Sequence, residues 1–224
     1  MTGDSADGGQ HLLGEAVPDA SAAQGQPTGY TLVLPPEWRK IPLRDGTDEA
    51  IKRTIKDTFA RLPRDVPWDK LTPYRIELER RLAKIVAAAR RSAGIDLYLP
   101  VEMMHGAPVA ASFVVSEVSF GSVDAMDPAM LVSHLASEND DSQPVTLDGA
   151  LGVRTERTAQ PDPSKGIDRG SRRVAYMLSV PADLDRWLEI VFSTLGGGDP
   201  DDDYARLLVL LFDAIMATFR WTRA

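Results

Sequence analysis

The chain has 224 residues, 43% of them hydrophobic, enough for one core of about 150–200 residues plus a tail. The absence of cysteine excludes disulfides, thiolate metal sites and cysteine nucleophiles. A net charge of −8 argues against nucleic-acid binding, which wants clustered positive charge. Arginine well in excess of lysine, with abundant Ala, Asp and Val, is the composition of a high-GC bacterial genome.

Residues 1–28 are rich in Gly, Ala, Ser, Asp and Gln with almost nothing to bury. They read as a disordered tail ahead of a single domain over 29–224. The N-terminus has no basic start and no apolar h-region. The longest apolar candidate, Leu207 to Phe219, is interrupted by Asp213 and falls short of the roughly 18–20 residues that span a bilayer. The expectation is a soluble cytoplasmic protein without membrane insertion, with signal-independent export left open.

Tyr30 to Leu34 reads as a strand ended by Pro35-Pro36, and Trp38 to Ile41 as a second short one. Thr47 followed by Asp48 and Glu49 predicts a helix cap. Ile51, Ile55, Phe59 and Leu62 then supply a helical stripe. Thr72-Pro73 predicts a second helix start, continued by Tyr74, Leu78, Leu82, Ile85 and Ala89 and closed by Arg90, Arg91 and Gly94.

From Ile95 the period changes to two. Ile95, Leu97, Leu99 and Val101 alternate as a half-buried strand, and 109–120 is its hairpin partner. A short helix over 127–137 precedes strands at 144–148 and 150–159, joined at Asp148-Gly149. The segments 172–181 and 186–195 form the central hairpin, and a helix over 204–221 ends the chain. Short connections favour antiparallel pairing. The predicted fold is α+β, a central antiparallel sheet flanked by helices in an α/β/α sandwich.

The stretch "STLGGGDPDDDY", 193–204, has the look of chemistry: three glycines for a phosphate, four aspartates for a cation. Its spacing matches neither G-x-G-x-x-G nor the P-loop, and it lacks the closing glutamate of a calcium loop. The structural reading places a sharp glycine turn before a helix capped by Asp199 with Pro200 in its first position.

His11, His105 and His134 have no ligand-spaced partner, and no G-x-S-x-G elbow occurs. No catalytic, cofactor or metal residue is assigned. Glu102, Glu117, Glu156 and Glu189 lie on or beside strands, either on a wet face or lining a cleft. From Glu37 to Arg91, fifteen Lys and Arg stand against nine Asp and Glu. That local +6 leaves −14 for the remainder of the chain, a polarity that steers an acidic partner. The alternative is i,i+4 pairing on solvated helices, as between Glu77 and Arg81. Candidate partner contacts are Trp68, Arg80, Arg81, Lys84, Arg90, Arg91 and His105.

Two segments carry a family resemblance. "YTLVLPPEWRKIPL" resembles the strand–proline–Trp entry of the PsbP-like superfamily. "RWLEIVFSTLGGGDPDDDYARLLVLLFDAIMATFRW" resembles its terminal strand–helix unit, with "VAYMLSVPADLDRW" as the preceding hairpin strand. The superfamily holds photosystem II extrinsic proteins, a Ran-GTPase-binding import factor and bacterial envelope proteins. The resemblance covers about a third of the chain and rests on packing residues. It implies an antiparallel sheet covered by helices and an accessory role in binding other proteins. The leading expectation is therefore a non-enzymatic adaptor of a bacterial protein complex, in assembly, secretion or a chaperone-like role. A small-molecule hydrolase or isomerase using cleft carboxylates is the alternative, and an immunity-type toxin inhibitor a third. Oligomeric state stays open.

Overall fold

The computed structural model describes residues 25–60, 68–104, 106, 109–120, 127–138, 141–161, 164 and 169–223, without the side chains of 68–70 and 138. Seven strands form one antiparallel sheet in the order β2-β3-β4-β8-β7-β6-β5. They are β2 (Trp38–Pro42), β3 (Gly94–Pro100), β4 (Ala111–Ser119), β5 (Ser142–Leu147), β6 (Ala150–Ala159), β7 (Ser171–Val180) and β8 (Asp183–Thr194). A separate two-stranded ribbon pairs β1 (Pro27–Thr31) with β9 (Arg220–Arg223). With helices on both sides of the sheet, the α+β architecture read from the sequence is the one found.

The pleat sends alternate residues to opposite faces, and the two faces are built differently. One carries Phe113, Val115, Val174, Tyr176, Leu178, Ile190 and Phe192, all buried under α4 (Asp203–Ala217). Phe212 of α4 stacks on Phe192 with centroids 4.8 Å apart, tilts against Phe113 at 5.4 Å and meets Tyr176 edge-on at 5.7 Å. Such pairs stabilise by about 0.5–1.5 kcal/mol beyond area burial.

The other face has two separate covers. The helices α1 (Thr47–Ala60) and α2 (Trp68–Arg91) close over β2 and β3 through Ile55, Leu82, Val86 and Ala89 against Ile41, Leu43 and Leu97. Gly94 permits that approach, because a Cβ there would lie 2.7 Å from the Ala89 carbonyl oxygen. At the opposite end α3 (Pro128–Glu138) packs Val132 on Val153 and Trp187.

Local expectations hold where period and turn chemistry agree. The β5–β6 turn is Asp148-Gly149, with φ of 46° and 79°, the left-handed pair that a primed hairpin turn requires. Four details differ. First, β1 begins at Pro27, inside the segment read as tail, because β9 supplies the pairing; residues 1–24 lie outside the described part. Second, α2 starts at Trp68 and runs through Pro73; Leu71 extends the Leu78–Leu82 stripe upstream of the proline. Third, Thr47 does not cap α1: its hydroxyl donates to the Pro42 carbonyl oxygen at 2.8 Å. Fourth, the final helix stops at Ala217, and the chain turns into β9.

Candidate functional site

The glycine–aspartate loop consumes its own polar groups. Gly196 N–H donates to Thr194 Oγ1 at 3.0 Å, Gly197 N–H to Asp202 Oδ2 at 2.7 Å, and Gly198 N–H to the Leu195 carbonyl at 3.0 Å. The amides a phosphate would need are thus spent internally. Asp202, not Asp199, caps α4 by accepting from Ala205 N–H. That bond first, opposed by desolvation and reinforced by the Gly197, Asp199 and Tyr204 amides, lowers the Asp202 carboxyl below its ordinary range. Asp199 instead accepts from Asp201 N–H at 2.9 Å, and Asp203 pairs with Arg206 at 2.6 Å. Gly196 has φ 56°, and a Cβ there would meet Asp202 Oδ1 at 2.6 Å. The cap moved three residues because the turn itself needed Asp199.

The basic candidates gather on α2, and their environments differ. Glu77 accepts two bonds from Arg80, both at 2.8 Å, and one from Arg81 at 2.7 Å. Those hydrogen bonds, from Arg80 first and Arg81 second, hold the Glu77 carboxyl down to about 2. The pair is therefore oriented on the helix surface at every physiological pH. Lys84 and Arg91 are exposed and have no ion pair among the described residues. Arg90 turns inward at its tip, donating to the Leu43 carbonyl at 2.7 Å and to Thr47 Oγ1 at 2.6 Å. Its guanidinium clamps α2 to the β2–α1 corner. Trp68 opens α2 with its side chain outside the description, and His105 is outside the described residues.

The first half of α2 has a feature the sequence did not announce. No residue from Leu71 to Arg81 is buried. Tyr74 is 72% exposed and Ile76 56% exposed, beside Arg75, which is also exposed. The periodicity that predicted Tyr74 as core was right about the helix, but the fully buried positions of α2 begin only at Leu82.

Between the two covers of the second face, strands β7 and β8 stay open. A groove of about 230 Å³ there is lined by Leu135, Val153, Ala175, Met177 and Val191, with Ser142, Thr155, Arg157, Arg173 and Glu189. Among the described residues, Glu189 is the only carboxylate in that lining. The pair of convergent acids that cleft hydrolysis would use is not assembled there by the described residues.

On the sealed face, by contrast, the charged side chains around Asp213 are bound to one another, although the buried Trp38 Nε1 and Trp221 Nε1 have no partner among the described residues. Arg154 donates to both Asp213 oxygens at 3.0 and 2.8 Å and to Glu156 at 2.7 Å. Arg172 bonds Glu156 and Asp201 at 2.6 and 3.2 Å, and Tyr176 Oη donates to Asp213 at 2.8 Å. Desolvation opposes charge at Arg154 and Glu156. The mutual hydrogen bonds outweigh it, raising the guanidinium and lowering the carboxyl. At the ribbon, Tyr30 Oη reaches Asp96 at 2.5 Å and Tyr98 Oη at 3.0 Å, while Lys40 pairs with Asp96 at 2.8 Å. Burial first, then the neighbouring Tyr98 and Asp96, pushes the Tyr30 phenol far up. These clusters join elements: α4 to β6 and β7, and β1 to β2 and β3.

No helix among the described residues is long and apolar enough to cross a membrane. The chain matches no family model and no curated protein.

Proposed function

We propose that the protein is a non-enzymatic, protein-binding accessory or adaptor module, working in the cytoplasm of a bacterium and contacting its partner through the outer face of α2. The observation that carries this reading is the projecting first half of that helix. It shows Ile76 to solvent beside Arg80 and Lys84 on the outer face, and leaves Tyr74, one side further round beside Arg81, exposed as well. An exposed apolar side chain flanked by long cations on one helix face is the composition of a protein interface. The helix carries net positive charge in a chain of −8, so an acidic partner surface is favoured and mismatched ones are repelled. The PsbP-like resemblance supports the same class of role.

The test is affinity capture from the native host with the wild-type chain and with the double variant R81E/K84E. A partner recovered by the wild type and lost by the variant, with matching melting curves, is the expected result. Equal recovery by both, or no reproducible partner, contradicts the reading.

A further inference from the structure

We infer that the open groove of the sheet is a binding site for a small amphipathic organic anion, its head group held by Arg157 and Arg173 and its apolar body lying on Ala175, Val191 and Met177. The inference is independent of the α2 surface and rests on a difference between two sets of arginines on the same two strands. On β6 and β7, Arg154 and Arg172 face α4, and each is paired with carboxylates at 2.6–3.2 Å. Arg157 and Arg173 face the groove and lie directly opposite one another in the β6–β7 register. Neither has an ion pair among the described residues. Among the described residues the one hydrogen bond from either side chain runs from Arg173 Nε to Ser171 Oγ at 3.3 Å.

Like charges placed directly across a ladder destabilise it, so an arginine pair with no carboxylate partner among the described residues carries an electrostatic cost. One carboxylate or phosphate between the two guanidinium groups removes that cost with charge-assisted, fork-shaped hydrogen bonds. Neighbouring cross-strand Cβ atoms lie about 4.5–5.5 Å apart, close enough for both side chains to reach one head group.

The remaining lining sets the size and polarity of the body. Stepping along β8 from Ser193, which faces Arg173, the next groove-facing residues are Val191 and then Glu189. Ala175 and Met177 flank them on β7, with Thr155 and Val153 beyond on β6. The surface therefore passes from cationic through apolar to a single carboxylate over four residues, about 13 Å at the rise of a strand. A volume of about 230 Å³ is below the roughly 300–1,000 Å³ of drug-sized sites. Glu189 at the far end repels a second anionic group there, so the occupant has one negative head and an apolar tail.

Octanoate and octyl phosphate are suitable probes, with octanol lacking the charge and octyltrimethylammonium reversing it. The readout is methyl chemical shifts of Leu135, Val153, Met177 and Val191 in the full-length protein during titration. Saturable shifts with octanoate, octyl phosphate or both are expected, and whichever binds tighter identifies the head group. Arg157→Ala with Arg173→Ala weakens that binding at least tenfold without moving the melting temperature downward. Equal response to octanol or octyltrimethylammonium, an unchanged affinity in the double variant, or no saturable shift overturns the inference. So does movement of the same methyls on concentrating the protein without probe, which assigns the groove to a second copy.

Discussion

The two faces of the sheet share the same strands and have opposite fates. Under α4, Val174, Leu178, Ile190 and Phe192 are 1% exposed or less, and the polar side chains among them are bound to one another. On the reverse, the residues next to these in sequence, Arg173, Ala175, Met177 and Val191, line an open groove. One face is built to hold the fold and the other is left partly uncovered, so stability and recognition can be assigned to different residues of a single strand.

The comparison breaks first at Phe212. Its ring contacts three aromatic neighbours across three strands, so Phe212→Ala leaves a cavity worth about 3–5 kcal/mol, read as a lowered denaturant midpoint. Asp213→Ala comes next. It strips the half-buried Arg154 of its main partner and Tyr176 of its acceptor. The expected cost is about 2–3 kcal/mol, measured in the same way.

The smallest effect is the pH dependence. Glu156 is ionised below its ordinary value in the fold, so its contribution is complete above the unfolded-state value of about 4.3 and is lost as pH falls through the folded one. Below about pH 4.3 the wild type therefore loses stability more steeply than Glu156→Gln, seen in melting temperature against pH. Parallel curves would show that the Arg154–Glu156–Arg172 chain contributes nothing to acid stability.

What was legible in the chain was whatever local pattern determines. The strand run of β3, the Asp148-Gly149 turn and the stripe of α1 all depend on neighbours in sequence. The expectation of a half-buried β3 fails, since Asp96 and Tyr98 on its other face are buried too. The β9 strand did not show itself because its partner, β1, is about 190 residues earlier, and apolar residues to Trp221 continued a helical pattern. Arg172 and Arg173 look identical in sequence. Only the register with β6 reveals that Glu156 serves one of them and that Arg157 confronts the other. The basic character of α2 was readable from its composition. That Arg90 is a clamp depended on Leu43 and Thr47, more than 40 residues earlier, and that Tyr74 is an exposed ring depended on the burial of α2 starting only at Leu82.

The most direct measurement is one substitution made on each side of the sheet. Val174 and Val191 belong to adjacent strands, one under α4 and one in the groove. Chemical denaturation of Val174→Ala should show a loss of about 2–3 kcal/mol, and of Val191→Ala less than about 1 kcal/mol. Equal losses would mean that the second face is as tightly covered as the first, and the division between a sealed side and an open one would be wrong.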